Sequence, residues 1–408
     1  MLKRKKKSAA LVRFRFISLV ASVALIITLI GIALKKNQKQ ASNSQETVTK
    51  TAIKPTDTSK DRLSPSVISK GNSIETSVEK TEATFPTNLS NSLPENFQLV
   101  YQPNKSPKLQ KSQQLQNIVD EAVALAASEK LPIKPLSITL INVKTGNYAG
   151  YQQDKMRYPA SVVKLFWMVN FYAQVEKGIL SEADFNDNLK DSIQKSDNEA
   201  ASIILDKISN TQSGQNLVGR SYQNWLQKRL QVNQFFQQAG YENINVSQKT
   251  FPIPYLNLYE PKGADLKMRG NPQKPIRNKI TTQQASRLLY EIYNQKSISE
   301  DSSQKMIDLL TINPHTRAIK KDEKNPNEFN PVRGFLSEPL ASEIYFGGKA
   351  GWTSKSRQDA AYITTSDGKT AYILVVFAED RAYAYEWKIF PKISSLILNR
   401  MKNLKLNR

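Results

Sequence analysis

The chain has 408 residues, 58 Lys and Arg against 36 Asp and Glu, a formal net charge of +22 and no cysteine. The missing thiols exclude a disulfide scaffold, thiolate metal ligands and a cysteine nucleophile. With His315 as the single histidine, a histidine-clustered zinc site is excluded too, and a Ser-His-Asp triad would have to use that one residue as its base. Nine of the basic residues lie in the first 36 with no acid among them, so the excess is local and is not a footprint of nucleic-acid binding.

Residues 1–15 form a basic segment expected on the cytoplasmic side. Residues 16–34, Phe16 to Leu34, carry no charge, and at ~1.5 Å per residue such a run crosses most of a bilayer core of about 30 Å. The basic flank predicts a signal-anchor that leaves everything after it extracytoplasmic. A cleaved signal peptide is the alternative, but Lys35-Lys36 follow where a small-residue cleavage site would stand. Residues 35–96 are rich in Ser, Thr, Lys, Glu, Asn and Pro, with Phe85 the only aromatic before Phe97. That composition buries too little apolar surface to fold and predicts a disordered tether. Residues 97–408 are expected to form one domain.

Within that domain the apolar spacing predicts a helix over Ser112 to Lys130 and strands over Ser137 to Val143 and Tyr148 to Gln152, joined by the turn Lys144-Thr145-Gly146-Asn147. An apolar helix follows from Ser161 to Glu176, closed by Gly178. Further helices are predicted at Asn198 to Ile208, Tyr222 to Gln238, Gln283 to Lys296 and Glu300 to Leu310, with a proline- and lysine-rich loop between Phe251 and Lys279. Strands come last, at Ile344 to Lys349, Asp359 to Thr365 and Thr370 to Ala378. A terminal helix from Tyr383 to Asn399 has Pro391 as a candidate kink. The succession predicts an α+β fold: an antiparallel sheet of about five strands with a helical insertion and flanking terminal helices. His315 reads as an exposed loop residue, and no cofactor or metal motif is present.

Three short segments carry the chemistry: Ser161-Val162-Val163-Lys164, Ser196-Asp197-Asn198 and Lys349-Ala350-Gly351. Serine and lysine also stand three apart at Ser77/Lys80, Ser192/Lys195 and Ser302/Lys305, so the order and context of the set are what distinguish it. A serine hydroxyl is a weak nucleophile and needs a base. With histidine and cysteine excluded, Lys164 on the same helix face as Ser161 is the candidate. The apolar Leu165-Phe166-Trp167 predicts the burial that would lower its pKa. Ser-Asp-Asn ahead of Glu199 also suits a helix N-cap.

In this order the three segments resemble the penicillin-interacting serine hydrolases, and within them the class A β-lactamase family. The resemblance extends over the exported domain and implies a sheet covered by terminal helices, with the active site between sheet and helical region. It implies that Ser161 is acylated, that Ser196 relays a proton to the leaving nitrogen, and that Asn198 holds Lys164 and the substrate amide. Lys349 would supply positive charge, Gly351 close approach of the strand, and the backbone N–H groups of Ser161 and Trp352 the oxyanion hole. Arg357 would be a second contact for a substrate carboxylate. The chain departs from the family in three places. Ser161 and Ser196 are only 35 residues apart, Ala350 stands where the family has a hydroxyl residue, and the nearest match to the deacylating glutamate, Glu260-Pro261, is followed four residues later by Ala264 instead of asparagine. Glu260 is therefore either the deacylating base or a solvated loop carboxylate.

Three functions are open at this point. The first is a membrane-tethered β-lactamase hydrolysing the β-lactam amide. The second is a D,D-peptidase acting on the D-alanyl peptides of peptidoglycan, and the third a cell-wall binding module with a decayed catalytic set.

Overall fold

The computed structural model describes residues 99–103, 108–324 and 329–404. The basic segment, the apolar run at 16–34 and the tether at 35–96 lie outside the described residues. Among the described residues no helix is long and apolar enough to cross a membrane.

Six strands form one sheet: β1 (Gln110–Lys111), β2 (Leu136–Asn142), β3 (Asn147–Tyr151), β4 (Ile344–Thr353), β5 (Ser356–Thr365) and β6 (Ala371–Ala378), in the order β1-β3-β2-β6-β5-β4. The pairing is antiparallel except that β1 adds to β3 in parallel. The sheet is thus mixed and one strand larger than the antiparallel five expected. The extra strand is two exposed residues with no apolar alternation, held through the Gln110 N–H on Gly146 O (3.1 Å). Lys144-Thr145-Gly146 is turn chemistry, with Gly146 at φ +71°.

Alternation along the strands sorts the core into two layers. Ile373, Val375 and Phe377 of β6 and Ala360 of β5 pack with the helical region, made chiefly of α2 (Lys164–Glu176), α4 (Asn198–Ile208), α5 (Gly219–Gln237), α7 (Thr282–Tyr293) and α8 (Glu300–Leu310). Leu374, Val376, Ala361 and Ile363 face the other way, onto α1 (Gln113–Ser128) and α11 (Ile389–Lys402). Helix α2 is buried from Lys164 to Gln174, as a helix apolar on every side must be. Ser112 and Asp197 cap α1 and α4 by accepting from Leu115 N and Ala200 N.

Elsewhere the chain is more helical than its apolar periodicity predicts. Short helices α3 (Asn186–Lys190), α6 (Gly263–Arg269) and α9 (Pro314–Asp322) bury one to four residues each, so they leave almost no periodic signal. The Phe251 to Lys279 loop therefore contains α6, and His315 is exposed on α9, not in a loop. The terminal helix is two: α10 (Arg381–Tyr385) and α11. The break at Glu386 to Lys388 precedes Pro391, which sits in the first turn of α11 where its missing N–H costs nothing. Within the helical region a buried charge cluster joins four segments. Arg229 of α5 pairs with Asp206 of α4 and with Asp265 of α6 (3.0 Å), and Lys249 pairs with Asp206 (2.7 Å) and Asp265 (3.7 Å).

Candidate active site

Ser161 lies in a 3₁₀ turn, Ala160–Val163, that runs directly into α2 at Lys164. A 3₁₀ turn has three residues per revolution, so Ser161 and Lys164 share one face. The turn is fixed from two sides. Gln358 of β5 donates from Nε2 to Tyr158 O (2.6 Å) and accepts the Ala378 N–H on Oε1 (2.8 Å), tying the turn to the sheet. Gly351, opposite Gln358 in the β4–β5 register, lies against it: a Cβ there would stand 2.8 Å from Ser161 N and 3.0 Å from Ala160 Cβ. Only a glycine lets β4 approach the serine backbone this closely.

Lys164 is fully buried, and its ammonium donates to Ser196 O (2.6 Å), Asn198 Oδ1 (2.8 Å) and Asp197 O (3.1 Å), with Ser196 Oγ at 3.5 Å. None of these bonds goes to Ser161 Oγ, so the nucleophile and its candidate base share a face without a hydrogen bond. Such contacts commonly tighten only when substrate binds. Ser196 adopts the left-handed conformation (φ +59°, ψ 26°) at the end of a short π turn, Asp191–Lys195, which aims both its carbonyl and its hydroxyl inward. From the other side Lys349 Nζ, 2 % exposed, donates to Ser196 Oγ (2.8 Å) and Ala350 O (3.2 Å). Ser196 Oγ thus lies between two amines.

Burial first, and then the charge of Lys349, pull the Lys164 pKa well below the usual lysine value, against a smaller upward pull from Asp197. The carbonyl oxygens around its Nζ favour the charged form, but they do not offset complete removal from water. Burial brings Lys349 down to about 7, opposed by Asp359. Two amines about one hydroxyl, both destabilised as cations, give one that can be neutral and accept a proton and one that can remain charged.

The structure brings together Ser161, Lys164, Ser196, Asn198, Lys349 and Gly351, with Trp352 one residue beyond. Two expected residues are elsewhere. The Arg357 guanidinium is fully buried on the opposite face of the sheet, donating to Tyr383 O (3.0 Å), Gly334 O (3.0 Å) and Ala384 O (2.8 Å), with no donor directed at the cleft. The expectation of a carboxylate contact there is corrected by strand alternation: Arg357 pairs with Trp352, out of phase with Lys349. Glu260 is exposed and bonds to no residue of the set. What the loop places against the site is Pro252, whose carbonyl accepts from Asn198 Nδ2 (2.8 Å), and Tyr255, whose hydroxyl bonds both carboxylate oxygens of Asp197 (2.9 and 3.1 Å). Ala350 is 4 % exposed and packs in the core on the α11 side, opposite Asp359. Burial pushes the Asp359 carboxyl up to about 7; its Oδ2 accepts the Leu336 N–H (2.9 Å) and its Oδ1 has no hydrogen-bond partner.

In the other serine-lysine pairs among the described residues a buried serine is followed by a solvent-accessible lysine engaged with carboxylates. Ser302 bonds Glu176 and Lys305 pairs with Glu182 and Asp301, while Lys195 pairs with Asp191. Sequence reasoning missed Gln358, Pro252, Tyr255 and Asp359. Only Asp359 left a signal, as the lone acid of its strand.

A family model described as the beta-lactamase enzyme family matches residues 112–184 and 181–401. Similar solved structures include a beta-lactamase from Sphaerobacter thermophilus DSM 20745, 18 % identical over 71 % of this chain and 99 % of that one (TM-score 0.48). Another is PBP-A, 16 % identical over 74 % and 100 % (TM-score 0.48). A beta-lactamase from Chitinophaga pinensis DSM 2588 is 15 % identical over 69 % and 98 % (TM-score 0.47). No curated protein matches the chain in sequence.

Proposed function

The chain belongs to the beta-lactamase enzyme family, and we propose that it is a serine hydrolase of penicillin-binding, D,D-peptidase type: acylated at Ser161 by β-lactams and D-alanyl peptides, and slow to release a β-lactam acyl group. The observation that carries the reading is the hydrogen-bonded chain Lys349–Ser196–Lys164–Asn198 beside Ser161, two buried amines about one hydroxyl. A binding module has no use for that arrangement.

In this mechanism neutral Lys164 takes the Ser161 proton as Oγ attacks the carbonyl. Negative charge then develops on the carbonyl oxygen at the backbone N–H groups of Ser161 and Trp352, a pairing supported by the close approach of Gly351, the residue before Trp352, to Ser161 N. The leaving nitrogen takes its proton from Ser196 Oγ, which regains one from the Lys164 ammonium formed in the attack, and the Lys349 cation attracts the substrate carboxylate. Hydrolysis of the acyl-enzyme needs a base for water, and here the chain departs from a fast β-lactamase. Glu260 is solvent-exposed, and the Asp197 carboxylate is engaged by Ala200 N and Tyr255 OH. The loop offers the site a carbonyl, not a carboxylate.

The test is intact-mass spectrometry during incubation with penicillin G. A persistent adduct, absent in Ser161→Ala, is expected, whereas rapid return to the free mass refutes slow deacylation. An extracytoplasmic domain tethered through residues 16–34 completes the proposal, and recovery of the protein in a soluble exported fraction lacking that segment would refute the anchor.

A further inference from the structure

Beside the serine turn the surface carries an aromatic platform that acylation does not use. Trp352 (37 % exposed), Tyr385 (50 %) and Trp387 (40 %) lie together, Trp352 6.4 Å from each of the other two ring centroids. Exposed rings normally stand singly, and these are held in place from behind. Trp352 Nε1 donates to Ala384 O (2.8 Å). The inner face of Trp387 rests on the Arg357 guanidinium (4.1 Å), itself fixed by three carbonyls. Gly334, at φ +78°, leaves room for the indole, because a Cβ there would overlap Trp387 Cε3. The buried arginine that failed to reach the cleft is thus the support for an exposed ring.

A cavity of about 320 Å³ adjoins the platform, lined by Ser354, Lys355, Glu379, Asp380 and Arg381. Arg381 joins the two, lying 5.3 Å from the centre of the Tyr385 ring. Glu379 joins the cavity to the catalytic turn by accepting the Tyr158 N–H (3.4 Å), three residues before Ser161. The Trp352 backbone follows the glycine that touches Ser161 N, while its ring, in register with Arg357, lies on the face of the sheet opposite Lys349, so the platform flanks the catalytic turn from behind the cleft. Flat rings bordered by both donors and acceptors suit a ligand that is apolar on one face and hydroxylated at its rim. A pyranose ring has that character, with axial C–H groups for the indole face and hydroxyls for the rim. The carboxylates of Glu379 and Asp380 offset Lys355 and Arg381, so the cavity offers no net positive charge to an anionic lipid surface.

We propose that Trp352, Tyr385 and Trp387, with the rim of Glu379, Asp380 and Arg381, form a subsite for a sugar ring of the glycan to which the peptide substrate is attached. The choice of glycan rests on the cell-wall reading above, while the binding measurement does not depend on acylation. The full-length chain is titrated with a β-1,4-linked N-acetylglucosamine tetramer and tryptophan fluorescence is followed. Saturable binding is expected, weakened about tenfold or more in Trp387→Ala and largely kept in Trp387→Tyr, with penicillin acylation of the variants within about twofold of the parent. Tyr385→Ala, at the more exposed ring, repeats the test should the tryptophan variant fail to fold. No saturation below about 10 mM, or equal binding by the parent and both alanine variants, overturns the proposal. Trp387-dependent binding to phosphatidylglycerol vesicles without tetramer binding overturns it in favour of a membrane contact. Tetramer binding without penicillin acylation would refute the proposed function and leave the subsite standing, and the converse result would do the reverse.

Discussion

Replacing Gly351 by alanine tests whether the approach of β4 to the serine turn is what permits acylation. The new Cβ would stand 2.8 Å from Ser161 N, 3.0 Å from Ala160 Cβ and 3.2 Å from Pro159 O, where ordinary contact begins at 3.4 Å. The two segments must therefore separate by 3.4 − 2.8 = 0.6 Å at the closest pair. Neither can yield cheaply, because two of the opposing atoms are backbone, β4 is paired with β5 from Ile344 to Thr353, and Gln358 holds the turn. Overpacking of this kind costs about 1–3 kcal/mol of stability. The larger effect is on geometry: a misplacement of about 1 Å can cost 10²-fold in rate, so 0.6 Å predicts a loss of roughly 10–100-fold. The assay is the second-order rate of mass gain with penicillin G, well below the melting temperature, beside a thermal unfolding curve. A folded Gly351→Ala protein labelled within about threefold of the parent would refute the assignment of this contact to the oxyanion region.

Lys349, brought down to about 7 by burial, is charged below that pH and neutral above it. The acylation kcat/KM for an anionic β-lactam should therefore fall by up to about tenfold per pH unit above 7, and a flat profile to pH 9 would show that its charge is not needed. Ala350→Thr inserts a hydroxyl and a methyl into a core position, so it should cost about 1–3 kcal/mol in urea unfolding and leave acylation within about threefold; faster labelling would place that side chain in the cleft. Glu260→Gln should leave the adduct lifetime unchanged, and a longer lifetime would make Glu260 the water's base after all. Asp206→Ala leaves Arg229 and Lys249 buried with Asp265 alone and should cost about 3–5 kcal/mol, measured by urea unfolding; a loss below about 1 kcal/mol would mean that the cluster is solvated.

The elements legible in the sequence are those in which a cap and an apolar stripe agree. Helix α8 begins at Glu300 because Ser299 Oγ accepts the Ser302 N–H, and α4 begins at Asn198 because Asp197 does the same for Ala200. The three reactive segments were legible for a similar reason, since two sit where a helix starts, the third lies toward the end of a strand, and their order along the chain is distinctive. The fate of Arg357 was not. The β4–β5 register, which spacing alone does not give, puts it on the face opposite Lys349, and the carbonyls that capture it come from residues 334 and 383–384, whose loop geometry has no sequence period. Glu260 stood out because it precedes a proline, whereas the contact between loop and site is made by a backbone oxygen, which any residue could supply. Strand β1 was invisible because two exposed residues, Gln110 and Lys111, carry no alternation.

The ion cluster of Asp206, Arg229, Lys249 and Asp265 bears on how a substrate gets in. Lys249 lies two residues before Phe251 and Asp265 five after Glu260, so the loop that borders the cleft is riveted at both ends. Swinging that loop outward would strand charges without partners in the interior, and such an opening approaches the cost of unfolding the helical region as a whole. The wall therefore behaves as a fixed jamb, and its buried, hydrogen-bonded amides, such as that of Ile253 on Leu258 O, should exchange on the timescale of global unfolding. Entry is left to the edge of β4, the last strand of the sheet among the described residues, beyond the bridge that Thr311 makes to Gly347.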